Sequence, residues 1–325
     1  MRRLAATGFK RDFARVAVLP DWWDASCEAD VRLLSEVELR IARFLDAPLA
    51  VVRDPGAQLV VPKYEGAQLR RVRDINRDRL GPAIHAALNI ASAVVRGSSL
   101  PTLRLPPVDA LAWREQISRP NPVLRLDDVL ADAWQRGIPV LQVDALPVPS
   151  FQGLACVVED RPVVLICHNL DEPARLAFII AHEIAHIVWG DCSPEGPVVD
   201  EEEEISDDTP IEKRADDYAI VLLTGGAPIP DVRASGFKDL AQKAAAVEKE
   251  RGVDASAVVW SWARRTGDYA MATMAAQALY RTSGGKRAIR KHLDQHLDLD
   301  NASDSDRALL RCLYGDPERD AAAAG

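Results

Sequence analysis

Apolar residues recur at helical spacing through most of this chain and give way to short β-branched runs only near its middle. Leu33, Leu34, Val37, Ile41 and Leu45 predict a helix over Ala29 to Leu45, ended by Asp46 to Pro48. A second helix is predicted over Pro82 to Val95, with Gly97 as its stop. Between them Arg70, Arg71, Arg73, Arg77 and Arg79 alternate with Asp74 and Asp78, the pattern of a solvated helix face rather than of a phosphate-binding one. Gly97 to Pro107 reads as a linker, Val108 to Ile117 as a short helix, and Leu126 to Arg136 as a helix closed by Gly137.

The period then changes. Ile138 to Val143, Gly153 to Val158 and Pro162 to Cys167 predict strands, the last two joined through Glu159 to Arg161 as a hairpin. A helix follows through AHEIAHIVWGD (Ala181 to Asp191), with Asn169 or Asp171 as its expected cap, Pro173 in its first turn and Gly190 at its end. Asp191 to Asp208 has no apolar period and reads as a solvated acidic loop. A helix runs from Pro210 to Leu223, and Leu240 to Lys249, Ser256 to Thr266 and Tyr269 to Tyr280 are helical again. The expected organisation is a helical region over 1–100, which could hold a divergent helix-turn-helix, a linker and short helix over 101–120, a central domain over 121–226, and a helical region over 227–325 with a frayed tail.

Composition narrows the class. Nearly half of the residues are apolar and a quarter charged, as in a soluble globular protein. Five scattered cysteines without a C-x-x-C pair argue against a disulfide framework and a thiolate zinc knuckle. No signal-peptide core or membrane span is legible, so a reducing cytoplasm is expected. The net charge of −9 is unevenly spread: residues 1–80 hold 15 basic against 12 acidic side chains, residues 121–224 only 6 against 21. An acidic middle repels nucleic acid and attracts basic partners, so direct nucleic-acid binding is not the expected role.

In H-E-x-x-H, two histidines four apart on one helix face share a metal, and the glutamate between them takes a proton from water. His182 and His186 are therefore candidate zinc ligands and Glu183 the candidate catalytic base, later acid. The flanking AFIIA and IVWG bury the helix and dry the site. His292 and His296 share the spacing but lack the glutamate, and they read as a surface face. The metzincin pattern fails, since Trp189 and Cys192 stand at its glycine and third histidine, although Cys192 lies close enough to reach back. A better third ligand is Glu212 in the first turn of the next helix, where Ala215 and Ala219 allow close packing. Asp216 one turn on could orient a histidine; Tyr218 and His168 are further candidates for stabilising a transition state. Trp22, Trp23, Trp260 and Trp262 read as core. The fold expected is α+β and mostly helical, with a small β-sheet packed on the HEXXH helix in a zincin-like catalytic domain.

The ordered set LDDVLADAWQRGIPV, VVLICHN, ARLAFIIAHEIAHIVWGD and EKRADDYAIVLL resembles the ImmA/IrrE metallopeptidases over Leu124 to Leu223, about a third of the chain. The resemblance implies zinc held by His182, His186 and Glu212. It also implies an intracellular endopeptidase that cuts helix-turn-helix (XRE-type) repressors and so regulates stress-response or mobile-element genes. The acidic middle suits such a basic substrate, and a strand of the Gly153 to Cys167 hairpin could pair with it. Two other classes remain open: a repressor-sequestering or toxin-antitoxin component without catalysis, and a DNA-binding regulator with a metal-sensing domain.

Overall fold

Five short strands form one sheet in the order β1-β5-β3-β4-β2: β1 is Gln68–Arg70, β2 Val140–Gln142, β3 Gly153–Val158, β4 Arg161–Ile166 and β5 Val198–Asp200. They belong to a computed structural model that describes residues 2–64, 68–70, 77–117, 122–143, 146–147, 151–167, 169–193, 196–200, 209–279, 282–300 and 302–314. The rest of the described chain is mostly helical. His168 and the acidic run Glu201 to Asp208 lie outside the described residues.

The hairpin forms because its turn is two residues long, and Glu159 and Asp160 both adopt positive φ (49° and 57°), the twist that antiparallel neighbours need. Side chains alternate across the sheet. Leu141, Leu154, Cys156, Val163, Leu165 and Val199 join one apolar core, and Val140, Ala155, Val164, Ile166 and Val198 join another. The first core holds the helix Arg77–Arg96, other residues from Leu4 to Leu59, and Leu309 to Leu313; the second holds the helix Pro173–Val188 that carries the two histidines. Burial on both faces explains why GLACVV and PVVLIC are continuous rather than alternating apolar runs. A third cluster, around Leu240, Val259 and Trp262, holds the C-terminal helices Phe237–Arg251, Ala255–Thr266 and Tyr269–Ala278 together.

Several expectations change. The region after Asp191 is not wholly loop: β5 pairs antiparallel with β3 (Leu154 opposite Val199) and parallel with β1 (Leu69 opposite Val199). Within the expected run of arginines, Arg70 ends β1 and Arg77 begins a helix. Both hairpin strands are interior to the sheet, because β3 lies between β5 and β4, and β4 between β3 and β2. Along Gly153 to Ala155 and Val164 to Ile166 both strands are paired on both sides, so the edge expected for substrate pairing is taken there. Asp171 does not cap the motif helix, whose N-cap is Glu172; its carboxylate accepts from the N–H groups of Gly284 and Lys286 at the start of the helix Gly285–His296. That helix is no surface face either, for His292 is buried against Asp127 and His296 stacks on Trp134 at 4.5 Å.

Beyond the sheet, His85 is buried in the first core. Its Nδ1 accepts from the Tyr64 hydroxyl at 2.6 Å and its Nε2–H donates to the Phe44 carbonyl, so the neutral ring satisfies both nitrogens. Burial lowers the pKa of His85. The unfolded chain therefore binds this proton first, and stability falls as pH drops through about 6.5 while being unaffected by this group above it. NMR titration of His85 in the folded protein should give a midpoint below that of a free histidine; a midpoint at or above it would refute the assignment.

Candidate metal centre

The helix Pro173–Val188 begins with Pro173, whose missing N–H costs nothing in a first turn, and runs through an almost unbroken apolar sequence. From Ile180 to Ile187 every residue is buried, so this helix is wrapped on all sides rather than amphipathic. His182, Glu183 and His186 are 2%, 0% and 0% exposed. Polar groups at that depth must find partners.

The partners come from two places. The helix Pro210–Thr224 starts from Thr209, whose hydroxyl accepts from the Glu212 N–H, and ends at Gly225 in the left-handed region. The Arg114 guanidinium donates to the carbonyls of Leu222 and Leu223, closing the end of that helix. Ala215 and Ala219, both fully buried, let this helix lie close on the motif helix. Glu212 in its first turn then places its carboxylate 3.3 Å from His182 Nε2 and 3.7 Å from His186 Nε2, and the two Nε2 atoms are 3.1 Å apart. One turn on, Asp216 meets His182 Nδ1 at 2.9 Å.

The second source is the end of the motif helix itself. Gly190, at φ 69°, turns the chain so that the Asp191 N–H donates to the His186 carbonyl. The Asp191 carboxylate accepts from His186 Nδ1 at 3.0 Å, and Arg214 Nη2 donates to both Asp191 oxygens at 2.9 and 3.0 Å while its guanidinium sits 4.3 Å over the Trp189 ring. Asp191 thus joins the site by contact, although its place in AHEIAHIVWGD assigns it no role. Its signal was present: a carboxylate just past a helix-ending glycine, five residues after the second histidine.

These groups fit a catalytic zinc ion. Carboxylates on both Nδ1 atoms fix the tautomer in which each Nε2 presents a lone pair. Ligand atoms around tetrahedral zinc lie about 3.3 Å apart at the bond lengths zinc takes, and here the two Nε2 atoms are 3.1 Å apart, with Glu212 Oε2 3.3 Å from His182 and its Oε1 3.7 Å from His186. One ligand atom each from His182, His186 and Glu212 lies within 4.8 Å of the others, so the three are positioned to chelate a metal ion. Three protein ligands leave one position open, the catalytic rather than the structural pattern. Cys192 takes no part in that cluster, and burial pushes its thiol up to about 12.

Glu183 is buried beside this cluster, and the strand β3 begins against it. A side-chain carbon added at Gly153 would overlap Glu183 Oε1, so any other residue here requires the Glu183 carboxylate to move. Tyr218 is placed elsewhere. Its hydroxyl donates to the Pro107 carbonyl at 2.7 Å and its ring packs between Trp113 and Trp189, so it tethers the linker instead of facing a transition state.

His182 and Asp216 are among the residues that line a cleft of about 410 Å³. Phe178 and Ile220 line it, with Trp260 and Arg264 from the C-terminal helices. Trp260, expected in a core, is half-buried in this cleft wall and donates its indole N–H to Glu172.

Histidine pair, intervening glutamate and distal glutamate make up the metal-binding motif typical of zinc metallopeptidases. Compared with known proteins, the chain matches no family model and no curated protein. Among the described residues, no helix is long and apolar enough to cross a membrane.

Purified protein should hold one zinc per chain by elemental analysis, and Glu212→Ala should lose it. Asp191→Ala should retain the fold by circular dichroism while weakening zinc affinity about 10- to 100-fold, the range for removing a histidine's orienting carboxylate. Unchanged affinity in the Asp191 variant would show that Arg214 and Asp191 serve only the helix end.

Proposed function

We propose that this protein is a zinc-dependent endopeptidase of the ImmA/IrrE type whose substrate is a basic helix-turn-helix repressor. The observation that carries the reading is the burial of Glu183 beside the His182, His186 and Glu212 cluster, with Gly153 leaving room for its carboxylate. A protein that only bound a metal or a partner would have no use for a buried carboxylate in that position. The substrate class is supported by charge, since residues 121–224 carry 21 acidic and 6 basic side chains, and a DNA-binding domain is basic.

In this mechanism zinc, when bound, supplies a Lewis acid that brings the pKa of water toward about 7. The protein's own residues do the rest. Glu183 accepts a proton at its carboxylate from the attacking water and returns it to the departing amide nitrogen as the C–N bond breaks. Burial keeps that carboxylate out of bulk solvent, and Gly153 on β3 leaves the space in which it stands. Asp216 and Asp191 hold the two imidazoles in one orientation.

Zinc-loaded protein incubated with a basic helix-turn-helix repressor as substrate should cut it into two fragments. Glu183→Gln should retain zinc and lose about 10² to 10⁴ in rate, the range for a general acid and base. Cleavage by that variant at the wild-type rate would remove the mechanism, and binding without cleavage by the wild type would remove the peptidase reading. Gly153→Ala, which pushes the Glu183 carboxylate aside, should lower kcat at unchanged zinc content.

A further inference from the structure

We infer that the cleft leading out of the metal centre is a substrate subsite that accepts a polypeptide segment bearing an acidic side chain beside a large apolar one, read by Arg175 and Arg264. This rests on the peptidase reading and names the local chemistry of the segment that approaches the bond to be cut.

Position is the first support. Because His182 and Asp216 line the cleft, a chain lying in it meets one of the metal ligands and the carboxylate that orients it. Its two walls are helix faces. Ala174, Arg175 and Phe178 come from the motif helix, and Ala257, Trp260, Ser261 and Arg264 follow helical spacing along the opposite helix Ala255–Thr266. The C-terminal helices thereby acquire a purpose that their sequence did not announce. They form the outer wall of the active site.

Charge is the second. The two guanidiniums cross the cleft in opposite directions: Arg264, on the outer helix, lies 5.3 Å over the Phe178 ring of the motif helix, and Arg175, on the motif helix, lies 5.2 Å over the Trp260 ring of the outer one. A guanidinium held over an aromatic face keeps its charge and its N–H donors, which take a carboxylate through two parallel hydrogen bonds. Among the described residues no carboxylate makes a salt bridge to either guanidinium. The acidic groups nearby are engaged already: Asp216 with His182, and Glu172 with the Trp260 indole. Glu172 also feels the charge of Arg175, so Arg264, which is exposed, is the cation more available to an incoming carboxylate.

Apolar surface is the third. Ile220 and Tyr269, at 36% and 46% exposure, are large side chains turned toward this cleft, and about 410 Å³ accommodates two or three side chains, not a folded domain. A basic substrate protein with an acidic–apolar stretch satisfies both scales, because the field of the acidic body acts at a distance and the arginines act by contact.

The test measures binding on the full-length, zinc-loaded Glu183→Gln protein by fluorescence anisotropy. The probes are two labelled decapeptides that differ only in carrying glutamate or lysine beside a central phenylalanine. The glutamate peptide should bind at least about tenfold more tightly, and Arg264→Glu, an exposed position that leaves the fold alone, should abolish or invert the preference. Equal binding of the two peptides, or a preference that survives Arg264→Glu, would overturn the subsite. The peptidase reading fails separately: a preference in binding, with neither peptide cut by protein carrying Glu183, keeps the subsite and removes the catalysis.

Discussion

Everything in the centre of this molecule follows from an excess of buried negative charge around two imidazoles. Glu183 and Glu212 are fully buried, and Asp191 and Asp216 reach the same histidines from the rim, with the Arg214 guanidinium on Asp191. Carboxylates gathered in a dry interior repel one another more strongly than they would in water, because a low dielectric screens them less. A divalent cation between His182, His186 and Glu212 offsets that repulsion. The fold supplies what such an ion needs, since two helices meet through alanines so that carboxylate and imidazoles converge.

That same requirement explains what could be read in the sequence. His182, Glu183 and His186 were legible because helical geometry converts a spacing of four into a shared face, and the apolar flanks showed that this face is buried. Glu212 was legible because Ala215 and Ala219 mark a helix that packs closely. Asp191 was not assigned a role because it lies past the helix end, where no period applies and only the turn at Gly190 decides its direction. β5 was hidden for a related reason: three residues in an acidic stretch carry no pattern, and their strand identity comes from pairing with β3 and β1. Asp171 has the composition of a cap for the motif helix, yet it caps a helix more than a hundred residues away, a choice made by tertiary packing. Trp260 shows the limit of aromatic residues as core markers, for its ring is in a wall with an arginine over it.

The sheet contributes placement more than area. β3 is held on both sides at Gly153 to Ala155, by Asp200 to Val198 on β5 and by Ile166 to Val164 on β4. A strand fixed by two neighbours has little freedom to retreat, and the buried residues on its two faces anchor it to separate cores. At Gly153 that rigid backbone meets the Glu183 carboxylate with no side chain between them. The first core, to which the N-terminal helices contribute, therefore bears on the chemistry without touching it. It backs the sheet, the sheet sets the position of one glycine, and the glycine limits where the carboxylate can be when a proton is to be moved. A looser sheet would leave the metal ligands in place on their helices while letting Glu183 wander, which separates the conditions for holding zinc from the conditions for using it.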